Sequence, residues 1–264
     1  MFRFRVLAIF FPLFLFSISG CGKPGDMVHV PEGKFIMGSD RIDTDAMGRE
    51  FGMRKGRLYE DEYPKRMVYL KGFYMDRYEV TNREYKKFVD SANYNPPEPW
   101  ENGAYPEKEA DHPVVNVTWF DAHAFCKWAE KRLPTEEEWE KAARGPNGDI
   151  YPWGNEYDPK RANLEADSIA PVGSFEGDRS YYGAYDMAGN VMEWVDSWYG
   201  PYPGNTAGIK DYGSKYKVLR GDAMGQSGHY MMHNISARGS NRDYYFQDAA
   251  GEDGGFRCAK SEKE

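Results

Sequence analysis

The chain has 264 residues, of which 41% are hydrophobic and 29% are charged, a composition typical of a folded globular protein rather than a disordered one. Its formal net charge is -8, and the sequence has no uninterrupted cluster of lysine and arginine. Phosphate binding needs such a cluster, so we exclude nucleic acid as the partner.

The first 20 residues form an export signal. Arg3 and Arg5 precede an apolar run over residues 6–18, which is too short to be a comfortable membrane span. The run ends in Ile18-Ser19-Gly20-Cys21, which resembles the bacterial lipobox; the alternative is an ordinary signal peptide with a chance cysteine. We therefore predict a lipoprotein signal peptide over residues 1–20, a lipidated Cys21 with a tether over residues 21–26, and a single domain over residues 27–264.

The residue after this cysteine predicts the location. Residue 22 is glycine rather than aspartate, and the usual sorting rule then sends a lipoprotein to the outer membrane of a bacterium that has two. We expect an exported protein that contacts the membrane through its N-terminal lipid, on the periplasmic face or the cell surface.

Three segments carry the same helix-start signature, a threonine followed three residues later by an acid. They begin at Thr81, Thr118 and Thr135. The third predicted helix ends at Gly145-Pro146, where glycine suits a left-handed cap and proline cannot continue the helix.

Strand signals are few and short. The best lie at residues 27–30, 35–37, 68–76 and 217–220, and much of the remaining chain is rich in Gly, Pro, Asn and Asp. The pattern predicts one irregular, loop-rich α+β domain. Loops must satisfy their backbone polar groups through side chains, water or ions, which makes bound calcium a reasonable expectation.

The two remaining cysteines, Cys126 and Cys258, could form one bridge or stay as two thiols. Cys126 falls in a predicted helix and Cys258 in an apolar terminal segment. These positions favour buried structural thiols over a reactive pair.

The segment GAYDMAGNVMEW, residues 183–194, places two carboxylates seven residues apart around a glycine turn. Asp186 and Glu193 could supply side-chain oxygens to a hard cation such as calcium, with carbonyl oxygens from the turn between them. The alternative is a tight turn with exposed acids.

This segment is one of six motifs that, in order, resemble the formylglycine-generating enzyme (sulfatase-modifying factor) domain family. The others are VPEGKFIMGSD, FYMDRYEVTNREYKKFV, PVVNVTWFDAHAFCKWAEKRLPTEEEWEKAARG, YPWGNE and GGFRCAK. The resemblance implies an irregular α+β fold related to C-type lectins, with structural calcium. It implies one calcium site with the side chains of Asp186 and Glu193 and the carbonyls of Gly189 and Val191. A second site would use Asn163 and Leu164, with Asp167 and Ile169 as further partners.

Family members that make formylglycine hold copper(I) with two cysteines of their own, because soft thiolates suit that ion. On the resemblance those positions fall at about Gly225 and Tyr230, and neither is a cysteine. We therefore expect no copper and no catalytic residue of that kind, and formylglycine generation by the known route is not expected.

Histidines near these positions offer a different metal hypothesis. His229 and His233 would share one face of a helix, but the stretch has glycines upstream and lies where the family has a loop or strand. In a strand the two would be about 13 Å apart, too far to chelate one ion. We interpret them as part of a binding groove, together with Asp222, Tyr230, Arg238 and Tyr244.

Two functions remain open. The first is a lipid-anchored, non-catalytic binding or scaffold protein whose partner is an envelope protein or a glycan. The alternative is a cysteine-independent oxidoreductase or tailoring enzyme of the same family, with Asp222, His229 and Tyr230 as the acid–base candidates.

Overall fold

The regular elements are short and widely spaced along the chain. In this computed structural model, which describes residues 27–41, 59–225 and 232–262, the strands are β1 (Met27–Val30), β2 (Gly33–Met37), β3 (Arg66–Leu70), β4 (Phe73–Asp76), β5 (Met192–Trp198), β6 (Tyr216–Arg220), β7 (Asp243–Phe246), β8 (Gly254–Gly255) and β9 (Ala259–Ser261). The helices are α1 (Asn82–Ala92), α2 (Trp119–Trp128), α3 (Glu136–Arg144) and α4 (His233–Ser236). The expected single α+β domain is confirmed. The predicted signal peptide, Cys21 and the tether lie outside the described residues.

The three predicted helices begin where their threonines indicate. Thr81, Thr118 and Thr135 each accept a hydrogen bond from the backbone N–H three residues on, and the acid at that position accepts from the threonine's own N–H. These reciprocal bonds satisfy N–H groups that a helix start would otherwise leave unpaired.

The strands form three sheets rather than one. One has the order β1-β4-β9, the second pairs β2 with β3, and the third has the order β7-β6-β5-β8. The predicted strand over residues 68–76 is wrong, because Lys71 and Gly72 divide it between two sheets. Gly72 lies close to the exposed Glu262 carboxylate at this junction.

Two buried clusters lie on either side of the third sheet's central strands. One packs α1 and α2 against Trp194, Leu219 and Phe256, and the other packs Trp139 of α3 against β1, β4 and Val195. Cys126 and Cys258 are joined by a disulfide within the first cluster, so the preference for two thiols is corrected. The bridge ties α2 to the segment before β9.

A buried ion-pair network anchors α3. Glu136 accepts hydrogen bonds from Arg242 and Arg220, and Glu140 accepts from Arg220 and Arg144. Every one of these charged side chains is nearly inaccessible to water. A buried charge is tolerated only beside an oppositely charged partner, so each side chain depends on its ion pair. The network fixes α3 against β6 and the segment that follows α4.

No helix within residues 27–41, 59–225 and 232–262 combines the length and the apolar character needed to cross a bilayer.

Candidate functional site

The motif at residues 183–194 folds into a turn that points its polar side chains inward. Asp186 and Asn190 both have left-handed backbones, with φ of 57° and 74°. Asn190 Oδ1 accepts from Ala170 N and Asn163 Nδ2 at 2.9 Å each, and its amide donates to Glu79. The turn therefore buries Asp186 beside side chains that are distant in sequence.

Glu193 is occupied by protein donors. Arg257 donates to both carboxylate oxygens, Nη2 to Oε1 at 2.6 Å and Nε to Oε2 at 2.7 Å, and Trp139 Nε1 donates to Oε2 at 2.9 Å. A guanidinium in bidentate contact repels a second cation at the same oxygens. These contacts argue against the expected role of Glu193 as a calcium ligand.

Asp186 instead faces two carboxylates that the sequence patterns did not single out. Glu79, which is 1% exposed, lies within hydrogen-bonding reach of Asp186, and its Oε2 accepts from no donor among the described residues. Asp178 is equally buried; its Oδ2 accepts from Ala188 N and Gly189 N, while no donor in the described part of the chain reaches its Oδ1. We call Glu79, Asp178, Asp186 and Glu193 the acidic cluster.

The acidic cluster is electrostatically unbalanced. Four carboxylates face one guanidinium, that of Arg257, so negative charge is in excess when all are ionised. Burial, reinforced by the charge of Asp186, raises the pKa of Glu79 well above the usual range and that of Asp178 to about 8. Burial also raises the pKa of Asp186. Such a site favours a bound cation or a retained proton.

The residues fit a calcium ion only in part. No three His, Cys, Asp or Glu side chains in the described ranges converge well enough to hold a metal. An ion here would need Asp186 and Glu79 together with backbone carbonyls, as calcium accepts.

The second expected site is built differently. Asn163 Nδ2 donates to Asn190 Oδ1 and to Ser168 O, the carbonyl of Asn163 accepts from Asn190 N, and the carbonyl of Leu164 accepts from Gly225 N. Through these bonds Asn163 connects its own loop to the loop that contains Asn190. Asp167 is exposed and Ile169 half-buried, and neither has a described contact with the Asn163 side chain.

A second polar constellation lies around Asp222 and His233, which flank the positions where the family resemblance places the cysteines. Asp222 Oδ2 accepts from His233 Nδ1 at 2.7 Å and from the hydroxyl of Ser236 at 2.5 Å, and Oδ1 accepts from Ala223 N at 2.9 Å. His233 Nε2 lies 2.8 Å from the carbonyl of Gly225. Ser236 contacts the aspartate rather than the histidine, so the three residues do not form a nucleophilic triad.

The two ring nitrogens of His233 therefore face a carboxyl group and a carbonyl oxygen. A doubly protonated imidazole donates to both at once, so these contacts favour the imidazolium form of His233. Burial opposes this charge, but the bonds to Asp222 and Gly225 raise the pKa of His233, while burial raises that of Asp222.

The other residues of the expected groove differ in where they lie. His229 and Tyr230 lie outside the described residues. Arg238 is 2% exposed and bonds Glu62, and the half-buried Tyr244 donates to Asp211 and stacks on Tyr199 at 3.9 Å. His233 begins a helix, α4, rather than lying in a loop or strand.

Aromatic side chains contact α4, the helix that carries His233. Tyr151 and Trp153 stack at 5.2 Å, the Tyr151 hydroxyl donates to the carbonyl of Asn234 in α4, and Tyr157, which is 37% exposed, lies 5.7 Å from the Tyr151 ring. We call Tyr151, Trp153 and Tyr157 the aromatic rim. The YPWGNE motif marked this segment, but nothing local in the sequence indicated that it meets α4.

The fold and these two constellations define a loop-rich α+β domain whose buried charges hold its loops together. Residues 19–262 match the sulfatase-modifying factor enzyme 1-like domain, so the chain belongs to that family.

Relatives within the family include both inactive and active proteins. The chain is 33% identical to the inactive C-alpha-formylglycine-generating enzyme 2 of Mus musculus, over 89% of this chain and 85% of that protein. It is 31% identical to the formylglycine-generating enzyme of Mus musculus, over 88% and 74%. Among solved structures, PvdO from Pseudomonas aeruginosa is similar, with a TM-score of 0.66 and 26% identity over 89% of this chain and 94% of that one.

We expect Arg257→Met to destabilise the protein by about 3–5 kcal/mol, because it leaves the Glu193 carboxylate buried without its cation. Urea unfolding measures the change. Arg83→Met is the matched control, since its ion pair with Asp111 is exposed and should matter little. Equal effects of the two substitutions would contradict the account.

We expect the stabilisation by His233 to depend on pH. Its pKa in the folded state is raised, so the stabilisation is complete below the ordinary imidazole pKa of about 6.5 and is lost as the pH rises through the folded value. At the acid end the difference in unfolding free energy between wild type and His233→Gln should be about 2 kcal/mol. A difference independent of pH would show that the imidazolium is absent.

Proposed function

We propose that this chain is a non-catalytic, lipid-anchored member of its family that binds a protein or glycan of the bacterial cell envelope, at the outer membrane. The observation that carries this proposal is the loss of usable thiols. The chain has three cysteines; Cys126 and Cys258 are bonded to each other, and Cys21 lies in the predicted lipidation motif. A two-thiolate copper site cannot be assembled from these residues.

The contacts of Gly225, at the first cysteine position, also support a non-catalytic role. Its N–H donates to Leu164 and its carbonyl accepts from His233. Because the two ring nitrogens of His233 already contact Asp222 and Gly225, neither is open to a substrate. This argues against the oxidoreductase alternative, whose candidate Asp222 is likewise saturated by three donors.

We propose the aromatic rim as the contact surface. Tyrosine and tryptophan give large contact area at low entropic cost, and their polar tips allow hydrogen bonding to protein or sugar. Stacking of Trp153 on the buried Tyr151 holds the ring in place before binding. The similarity to an inactive formylglycine-generating enzyme relative is compatible with a role of this kind.

We further propose that calcium stabilises the domain at the acidic cluster, held by Asp186 and Glu79 with the carbonyls of Gly189 and Val191. The unpartnered Oε2 of Glu79 supports a cation there. Its chemistry would be structural, since calcium neutralises charge without redox activity.

Calcium should raise the unfolding free energy by about 2.7 kcal/mol at a concentration one hundred times its Kd, relative to protein in chelator. Glu79→Gln should abolish most of this gain, whereas the exposed Glu176→Gln should not. Thermal unfolding with and without calcium measures both. No response of the wild type to calcium would mean that a proton balances the cluster instead.

Trp153→Ala and Tyr157→Ala should lower recovery of the envelope partner in pull-downs with the lipidated chain, while Tyr245→Ala, on β7, should leave it unchanged. The same protein should consume no dioxygen and contain no stoichiometric copper or iron. Stoichiometric redox metal with turnover would overturn the binding function in favour of the oxidoreductase.

A further inference from the structure

Two arginines and several tyrosines gather where the domain begins. Arg77 follows Asp76, the residue paired with Met27 at the start of β1. A Cβ placed on Gly183 would lie 3.4 Å from Arg77 Nη1, 3.7 Å from Arg179 Nη2 and 3.7 Å from the Val28 side chain. Both guanidinium groups therefore converge beside the first residues of β1.

Three tyrosines belong to the same region: Tyr78 follows Arg77, and Tyr181 and Tyr182 lie on the turn between Arg179 and Gly183. Tyr181 has a side chain 70% exposed, the largest exposed fraction among the large hydrophobic residues of the described ranges. Its ring meets the edge of Tyr182 at 5.0 Å, and its Cβ is held close to Gly145. We call Arg77, Tyr78, Arg179, Tyr181 and Tyr182 the tyrosine–arginine patch.

The position of the patch matters because the predicted tether is short. Cys21 precedes Met27 by six residues, which span at most about 20 Å when fully extended. A domain of this size is roughly 45 Å across. The tether is therefore too short to let the domain rotate freely above a bilayer, and the surface around Met27 must face the lipid.

The chemistry of the patch matches that surface. Tyrosine is enriched at membrane interfaces, where its ring meets apolar chains and its hydroxyl meets headgroups. Arginine binds phosphate oxygens through a planar fork of donors. Arg77 and Arg179 place two cationic donor groups on this face, and such groups favour contact with anionic headgroups.

We propose that the tyrosine–arginine patch is the face with which the domain lies on a phospholipid surface. Tyr181 enters the interface, and Arg77 and Arg179 contact headgroup phosphates. The contact fixes the orientation of the domain relative to the membrane. This inference rests on the lipid anchor of the proposed function.

The test uses the full chain, lipidated in a bacterial host and reconstituted in vesicles with and without an anionic phospholipid. Tyr181→Cys carries an environment-sensitive fluorophore, and Tyr245→Cys is the control, an exposed tyrosine on β7. Because Cys126 and Cys258 are bridged, the introduced thiol is the one to be labelled. A lipid-borne nitroxide should quench the label at Tyr181 several-fold more than the label at Tyr245.

Arg179→Gln in the Tyr181→Cys background should reduce this quenching, most clearly in vesicles with the anionic lipid. Equal quenching at both positions in lipidated protein would overturn the inference alone. Mass spectrometry of the N-terminal peptide measures separately whether Cys21 carries a lipid. An unmodified Cys21 would overturn the anchor of the proposed function, and this inference with it.

Discussion

The bidentate pair between Arg257 and Glu193 is the interaction on which the rest of the domain depends. Arg257 also donates to the carbonyls of Asp76, Arg77 and Tyr185, so one buried side chain links β4, the motif turn and β5. Its burial is tolerable only because Glu193 neutralises it. By engaging Glu193, it leaves Asp186 to Glu79 and Asp178, and so creates the unbalanced charge that defines the acidic cluster.

Pairing of buried polar groups also stabilises the region around Asp222. Asp222 is satisfied by His233, Ser236 and a backbone N–H, and His233 in turn holds the carbonyl of Gly225. Asp222 and His233, which flank the positions where the family resemblance places the thiols, form a buried ion pair. In the function that we propose, this pair holds α4 in place beside the aromatic rim, which suits recognition better than catalysis.

The sequence allowed accurate prediction where the determinants are local. The three capping boxes and β1 are encoded within a few residues, and the glycine turn around Asp186 and Glu193 was recognisable from its spacing. What failed were pairings across the chain. The partner of Glu193 lies 64 residues away, and Glu79 reaches Asp186 from the segment between β4 and α1. Spacing alone could show that Asp186 and Glu193 share a turn, but it could not show that Arg257 binds Glu193.

We propose that a divalent cation beside Asp186 and Glu79 balances the excess negative charge of the acidic cluster, while Glu193 stays paired with Arg257. Anomalous diffraction from crystals grown in calcium tests it most directly. The account predicts a peak next to the Glu79 and Asp186 carboxylates, with the Arg257 pair intact. A cluster without a peak, in which two carboxylates share a proton, or a peak on Glu193 with Arg257 displaced, would contradict it.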